Sequence, residues 1–313
     1  MTQRFSITLT QLSYFIECAK TLNMTVASQK LHVAQSAVST AISHLERSLD
    51  TTLFIRQHSK GLILTPSGEH LLRDTQQMFG MLTDTIDSIN AERNEVRGSI
   101  TVAVFSTIAP FMIPQLVDRV QQRHPQLELE IIEGDYESNL AAVRGGRAEI
   151  SVGYALTDAE GIERESVGSV RPYVLLPVDH PLAHESMVEL SELADDPFVL
   201  LDLPDSNDYF LDILRGAGVT PNLAYRSSSY ETVRSMVATG LGYTILNQRP
   251  RISQTYTGRS AVAVEILGDV PSLILTVSSL EQLSRSARAL AVTDIVREIV
   301  AEQPGRAVGK AGE

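Results

Sequence analysis

Residues 25–49 read TVASQKLHVAQSAVSTAISHLERSL, and the rest of the chain is best understood outward from them. The stretch divides into two helical pieces around a turn. The first carries Val26, Ala27, Lys30 and Leu31. In the second, Val38, Ile42, Leu45 and Leu49 recur three or four residues apart, which is one face of a helix. The opposite face shows Ser36, Ser39, Thr40, Ser43 and Arg47. Short hydroxyls and one cation stand where Glu and Lys usually keep a surface soluble. Such a face suits close approach to another surface, such as a DNA groove.

Upstream, residues 10–22 predict a helix with Leu12, Phe15, Ala19 and Leu22 on one stripe and Thr10 as its cap. Cys18 lies beside that stripe, so it reads as a small buried hydrophobe before it reads as a reactive thiol. Downstream, residues 51–65 (TTLFIRQHSKGLILT) predict a strand, a tight turn at Lys60 and Gly61, and a second strand. Arg56, His58 and Lys60 sit at the tip of this wing. A solvated turn is the bland reading; beside a groove-reading helix, phosphate contact by Arg56 and Lys60 is the preferred one.

Pro66, Ser67 and Gly68 break the chain before a long helix over about 67–93. Leu72, Thr75, Phe79, Leu82, Ile86 and Ile89 alternate at spacings of three and four, and Leu71 and Met78 widen the stripe. Such a seam pairs with another helix. Packing on its own body is the alternative, but dimerisation would present two heads to an inverted repeat.

From Gly98 the pattern changes to strand-helix alternation. Strands are predicted at 99–105, 127–133 and 149–153, with helices at 109–123 and 137–144. Near-continuous apolar runs such as ITVAVF suit a parallel sheet buried on both faces. A second unit begins near Ser166, with strands at 173–178, 198–201 and 244–246 and helices near 208–215 and 231–238. A strand at 272–278 and a helix at 284–301 follow, and 304–313 read as a loose tail.

Composition bounds the possibilities. The 313 residues suffice for two or three domains, and 43% apolar with 20% charged residues is an ordinary globular balance. No apolar run approaches the roughly 20 residues of a membrane span, and no secretory signal opens the chain. One cysteine excludes an internal disulfide framework, so a cytoplasmic protein is expected. The net charge of −12 conceals a split. Residues 1–66 hold six Lys and Arg against three Asp and Glu, a net +3, which leaves −15 for the remainder. Phosphate attraction is thereby confined to one end.

These motifs resemble the LysR family of bacterial transcriptional regulators over nearly the whole chain. The specific part is the head: LSYFIECAK at 12–20, residues 25–56, and GLILTPSGEHLL at 61–72. The family pattern has an A-A-x-x-L helix core, an S-Q-[PS]-A-[LV]-S turn, I-x-x-L-E, L-F-x-R and L-T-x-[AS]-G. Gln35 to Ser39, Ile42, Leu45, Glu46, Leu53, Phe54, Arg56, Leu64, Thr65, Ser67 and Gly68 match it. Ala34 departs by replacing a capping Ser or Thr, a loss of about 1 kcal/mol, and Val26 stands where Ala is usual.

The resemblance implies an α+β protein with three parts. They are a winged helix-turn-helix head (1–66), a dimerisation helix (67–93) and a body like a two-subdomain periplasmic binding protein (94–303). Subdomain I would hold about 98–162 and 268–303, subdomain II about 163–267, with crossovers near 161–168 and 266–271. It also implies a homodimer or homotetramer on an interrupted inverted repeat in promoter DNA, contact with RNA polymerase, and a small organic effector, often a carboxylate, in the cleft.

The head residues expected at DNA are Gln35, whose amide suits an adenine edge, Ser36, Ser39, Thr40 and Ser43, with Arg56 and Lys60 from the wing. Ser36 could instead simply cap its helix, and Arg47 could pair with Asp50 or Glu46. In the body, Ser106 and Thr107 follow the first strand and open a helix, where an anion or plain capping by Thr107 are both open. Asp135, Tyr136, Asp202, Ser228 and Ser229 lie at or near carboxyl ends of strands, where open α/β sheets place ligands. His180 and His184 have metal-like spacing, but Pro181 spoils a helix there. No catalytic or metal motif is present, and no cofactor is expected beyond the effector. The peroxide sensors of the family need two body cysteines, which this chain lacks. A solute-binding protein or a small-molecule enzyme with a regulatory head are the rival classes.

Overall fold

Thr8 opens the first helix, two residues before the expected cap. Its hydroxyl accepts from Gln11 N–H, and the Gln11 side-chain Oε1 accepts from Thr8 N–H, a reciprocal capping box. The computed structural model describes residues 7–57, 61–90, 96–302 and 306–307. Its contacts divide it into two units, essentially 1–89 and 90–313.

In the first unit, α1 (Leu9–Thr21), α2 (Met24–Lys30) and α3 (Gln35–Ser48) bury Leu12, Phe15, Cys18, Ala27, Val38, Ile42 and Leu45 in one core. Asn23 caps α2 by accepting from Thr25 and Val26 N–H. Ala34 opens α3 with no side-chain cap, so Ser36 lies inside the first turn and is not the cap. The wing is an antiparallel pair, β1 (Phe54–Gln57) and β2 (Gly61–Leu64). Its tip, with Lys60, lies outside the described residues. Phe54 rests on Phe15, ring centres 5.4 Å apart. Burial and neighbouring Glu17 push the Cys18 thiol up to about 11, which keeps it protonated and inert.

The long helix α4 (Pro66–Asn90) starts with proline at its first position. Thr65 Oγ1 accepts from Gly68 N–H at 3.0 Å and donates to Thr52 C=O at 2.7 Å. A Cβ on Gly68 would stand 2.3 Å from the Leu53 carbonyl, so the helix can start this close to the wing only with glycine. The stripe of α4 splits. Leu71, Leu72, Met78 and Phe79 pack on the head core with Thr75 buried, whereas Met81, Leu82 and Ile86 are exposed.

In the second unit the larger sheet is ordered β14 (Arg306–Ala307), β6 (Ile162–Val170), β13 (Leu273–Leu280), β5 (Ile150–Tyr154), β3 (Gly98–Phe105), β4 (Leu127–Gly134). β3 (Gly98–Phe105), β4 (Leu127–Gly134) and β5 (Ile150–Tyr154) are parallel, connected by α5 (Ala109–Arg123) and α6 (Tyr136–Arg144). β3 buries Ile100, Val102, Ala103, Val104 and Phe105, both faces together. The expected crossover near 161–168 is instead a strand, β6 (Ile162–Val170), paired along its length with β13 (Leu273–Leu280). Residues 163–170 therefore belong to subdomain I. The backbone amides of two long neighbours satisfy one another there, which a bare linker would leave to water.

Chain return through β13 and α9 (Ala287–Ala301) completes this sheet. Arg306 and Ala307 form β14 on β6, so part of the expected loose tail is paired. Arg285, just before α9, and Arg297, on it, both bond Glu165 and so tie β6 to this end of the chain.

Subdomain II holds β7 (Tyr173–Pro177), β8 (Met187–Val188), β9 (Pro197–Leu201), α7 (Asn207–Gly216), β10 (Asn222–Ser227), α8 (Tyr230–Ala238), β11 (Thr244–Leu246) and β12 (Ala261–Ile266). β8, β10 and β12 have no counterpart in the sequence reading. β10 is an exposed two-strand edge whose NLAYRS lacks apolar alternation. Gly242 has φ +143°, and a Cβ there would meet the Pro197 carbonyl at 2.1 Å. Glycine lets Tyr243 N–H reach that carbonyl at 2.9 Å and so joins β11 to β9.

Candidate functional site

The exposed side of α3 is a shallow hollow lined by Gln11, Ser36, Ala37, Thr40, Ala41 and His44. Gln35 is the first helical residue and is exposed; Ser39 and Ser43 are half-buried on the adjoining stripe. One helical face thus gathers Ser36 and Thr40, with Ser39 and Ser43 one step round it. Ala37 and Ala41 beside them keep side-chain bulk off the backbone, which lets a second surface approach closely. Arg56 is exposed on the wing. Arg47 donates from Nε to the Ser43 carbonyl at 3.2 Å and forms no ion pair with Glu46 or Asp50. Glu46 instead accepts from Leu53 N–H at 2.8 Å and Phe54 N–H at 3.3 Å. Gln11 and His44 escaped the sequence reading; they are 3.1 Å apart and lie on separate helices. No pattern within one helix could pair them.

In the body, residues from both subdomains converge on a cavity at the carboxyl ends of β3, β5, β9 and β11. Phe105, Thr107, Tyr154, Leu201, Tyr230, Asn247 and Gln248 are among its walls. It has room for about one water, ≈ 20 Å³. Gln248 Nε2 donates to the Tyr154 hydroxyl at 2.6 Å and so closes one subdomain onto the other. Both Tyr173 and Tyr230 donate their hydroxyls to the Gln248 carbonyl. Burial pushes the Tyr173 phenol up to about 12 and the Tyr230 phenol upward as well, so both remain donors at neutral pH. Asn247 Oδ1 is buried without a hydrogen-bond partner among the described residues.

Of the seven body residues singled out from sequence, only Thr107 lines this cavity. It does not cap α5, whose N-cap is Ile108 with no side-chain bond. Ser106 is adjacent, but its N–H is spent on the Gly134 carbonyl. Asp135 accepts from Ser138 N–H at 2.8 Å at the start of α6, and its hydrogen bonds to the Ser138 side chain and backbone hold its carboxyl below the usual range. Tyr136 is buried and donates to the Thr157 carbonyl at 2.7 Å, with Arg164 over its ring. Asp202 pairs with Arg226 at 3.4 Å beside two wall residues, Leu201 and Leu203. Ser229 caps α8 by accepting from Thr232 N–H, and Ser228 is exposed next to it. Strand ends do line this cavity, but helix starts there require caps, and capping absorbs the short polar side chains. Applied to β5 and β11, the same rule selects Tyr154, Asn247 and Gln248.

His180 Nδ1 accepts from Leu182 N–H and its Nε2 faces Asp196 at 3.2 Å, so it caps a short 3-10 turn at Pro181–His184. Among the described residues no group of three or more His, Cys, Asp or Glu could hold a metal, and no helix is long and apolar enough to cross a membrane.

Residues 93–300 match the family described as the LysR substrate binding domain, and residues 9–69 match the bacterial regulatory helix-turn-helix protein, lysR family. The chain belongs to the LysR family. This LysR-family regulator is 33% identical over 242 residues to the uncharacterized HTH-type transcriptional regulator YvbU of Bacillus subtilis, covering 77% of this chain and 82% of that protein. Among solved structures it is similar to HinK, a LysR family transcriptional regulator from Pseudomonas aeruginosa. That match has 33% identity and a TM-score of 0.63, over 94% of this chain and 98% of the other. At 18% identity and TM-score 0.55, full-length CbnR complexed with its target DNA shares the fold over 94% of this chain and 99% of CbnR. The chain is a LysR-type transcriptional regulator with a helix-turn-helix DNA-binding part and an effector-binding domain, and the solute-binding alternative is set aside.

Proposed function

We propose that this LysR-family regulator reads an interrupted inverted repeat at promoters as a dimer joined through α4. Gln35, Ser36, Ser39, Thr40 and Ser43 enter the major groove, and Arg56 and Lys60 take phosphates. The observation that supports this most directly is the hollow on α3, where Ala37 and Ala41 line the surface beside Ser36 and Thr40. Hydroxyls read base edges or phosphates only at short range, and alanines allow that range. Assembly to a tetramer and contact with RNA polymerase belong to the same reading, as does action in the cytoplasm without catalysis or a further cofactor.

The effector occupies the cleft between Thr107, Tyr154, Asn247 and Gln248. The closed cavity accepts only a water, so binding requires the Gln248–Tyr154 bond to open. Asn247 Oδ1 offers an unused acceptor, which favours an effector that carries a hydroxyl or amine donor.

Footprinting on the regulator's own promoter tests the head. Gln35→Ala and Ser39→Ala should abolish the specific footprint while circular dichroism stays that of the wild type. Wild-type footprints from both variants would remove α3 from the groove.

A further inference from the structure

A second cavity lies within subdomain II alone and is more than ten times roomier than the cleft cavity, ≈ 310 Å³ against ≈ 20 Å³. Its walls include Arg234, Arg249 and Arg251 and no acidic residue, with Leu175, Val178 and Val262 giving an apolar side. The three guanidiniums are held differently. Arg234 is buried, bonds Glu231, and donates through Nη2 to the carbonyls of Ile252, Ser253 and Gln254. It fixes the 252–254 loop and keeps a positive charge behind it. The buried Nε of Arg234 has no hydrogen-bond partner among the described residues. Arg249 pairs with Glu265 at 2.8 Å and lies 5.8 Å from the centre of the Tyr173 ring. Arg251 is exposed and makes no ion pair or hydrogen bond among the described residues.

Three cations around one cavity repel one another, and two carboxylates offset only two of them. An anion between them would relieve that repulsion, and guanidiniums bond carboxylate or phosphate oxygens in a directed fork. The apolar side favours a ligand that is more than a bare ion. We propose that this cavity is a second ligand site, separate from the cleft, for a small organic anion: a carboxylate or phosphate head on an apolar body. Gln248 and Arg249 are consecutive, yet one lines the cleft and the other this site. The proposal stands independently of the effector reading of the cleft.

Phenyl phosphate is the probe, with inorganic phosphate and phenol as head-only and body-only controls, in isothermal titration calorimetry on the full chain at low salt. The wild type should bind it saturably with Kd below about 1 mM. Arg251→Gln should weaken binding about tenfold or more, Arg251→Lys less, and Thr107→Val in the cleft not at all. Arg249→Gln should weaken it too, with circular dichroism confirming the fold, but Arg251 is the cleaner test because no other group depends on it. Absent binding, or equal affinity in wild type and Arg251→Gln, would overturn the site. Equal affinity for inorganic phosphate would overturn the apolar half of the ligand class. Loss in Thr107→Val with retention in Arg251→Gln would place the anion in the cleft, overturning this site while leaving the cleft reading intact.

Discussion

Glu46 accepts from two amides at the base of the wing, Leu53 N–H and Phe54 N–H, while its own helix presents Ser39 and Ser43 on its half-buried stripe. One carboxylate therefore sets the distance between recognition helix and wing. Bonds from amides to an ionised acceptor contribute more than neutral ones, and Leu53 and Phe54 are both buried. Glu46→Ala should lower stability by about 2–3 kcal/mol, and Glu46→Gln, which keeps one carbonyl acceptor, by less. Differential scanning calorimetry of the full chain reads this as an earlier first transition. Equal melting of Glu46→Ala and the wild type would show that the wing stands without this tie. Residue-scale roles of this kind were only partly legible beforehand. Glu46 was visible as a motif position, but its partners come from a loop seven and eight residues on, a contact that no helical period announces.

At the scale of elements, the helices of the head and most body strands followed from periodicity, because each buries a continuous apolar face. β6 and β10 did not, for opposite reasons. β6 (IERESVGSV) is polar over its first half, where Arg285 just before α9 and Arg297 on α9 satisfy Glu165. β10 is an edge with little buried surface. The site in the body was half legible: strand ends pointed to the cleft, but which polar residue caps a helix and which faces a cavity depends on contacts between subdomains. The Glu165 tie makes a pH-dependent prediction. Burial alone would raise this carboxyl, but Arg297 and Arg285 outweigh it and hold the group below its ordinary value of 4.5. A depressed folded value means the contribution is complete above the unfolded value and lost as pH falls through the folded one. The stability gap between wild type and Glu165→Gln should thus be constant near neutrality and narrow progressively below about pH 4.5. A gap that stays unchanged down to acid unfolding would show that the arginines do not favour the ionised form.

Over the whole molecule, charge and apolar surface divide the labour. The basic head carries the phosphate attraction, and the remainder of the chain, at net −15, is repelled by the same polyanion. Assembly is the remaining requirement, and in the proposed dimer the exposed Met81, Leu82 and Ile86 of α4 supply it. Ile86→Glu should convert the wild-type oligomer to smaller species in sedimentation equilibrium while helix content is kept. A wild-type mass for that variant would move the dimer contact to another surface.

The divided stripe on α4 also bears on how such a protein counts itself. Its first turns are anchored to the head of the same chain, so a monomer arrives with the head complete but half a seam exposed. Where pairing is weak compared with cellular abundance, the number of competent pairs rises as the square of the number of chains made. A twofold change in synthesis then becomes about a fourfold change in occupancy of a mostly empty promoter, by mass action alone. In this way one strip of three apolar side chains would give the promoter a steep threshold, before any metabolite enters the cleft.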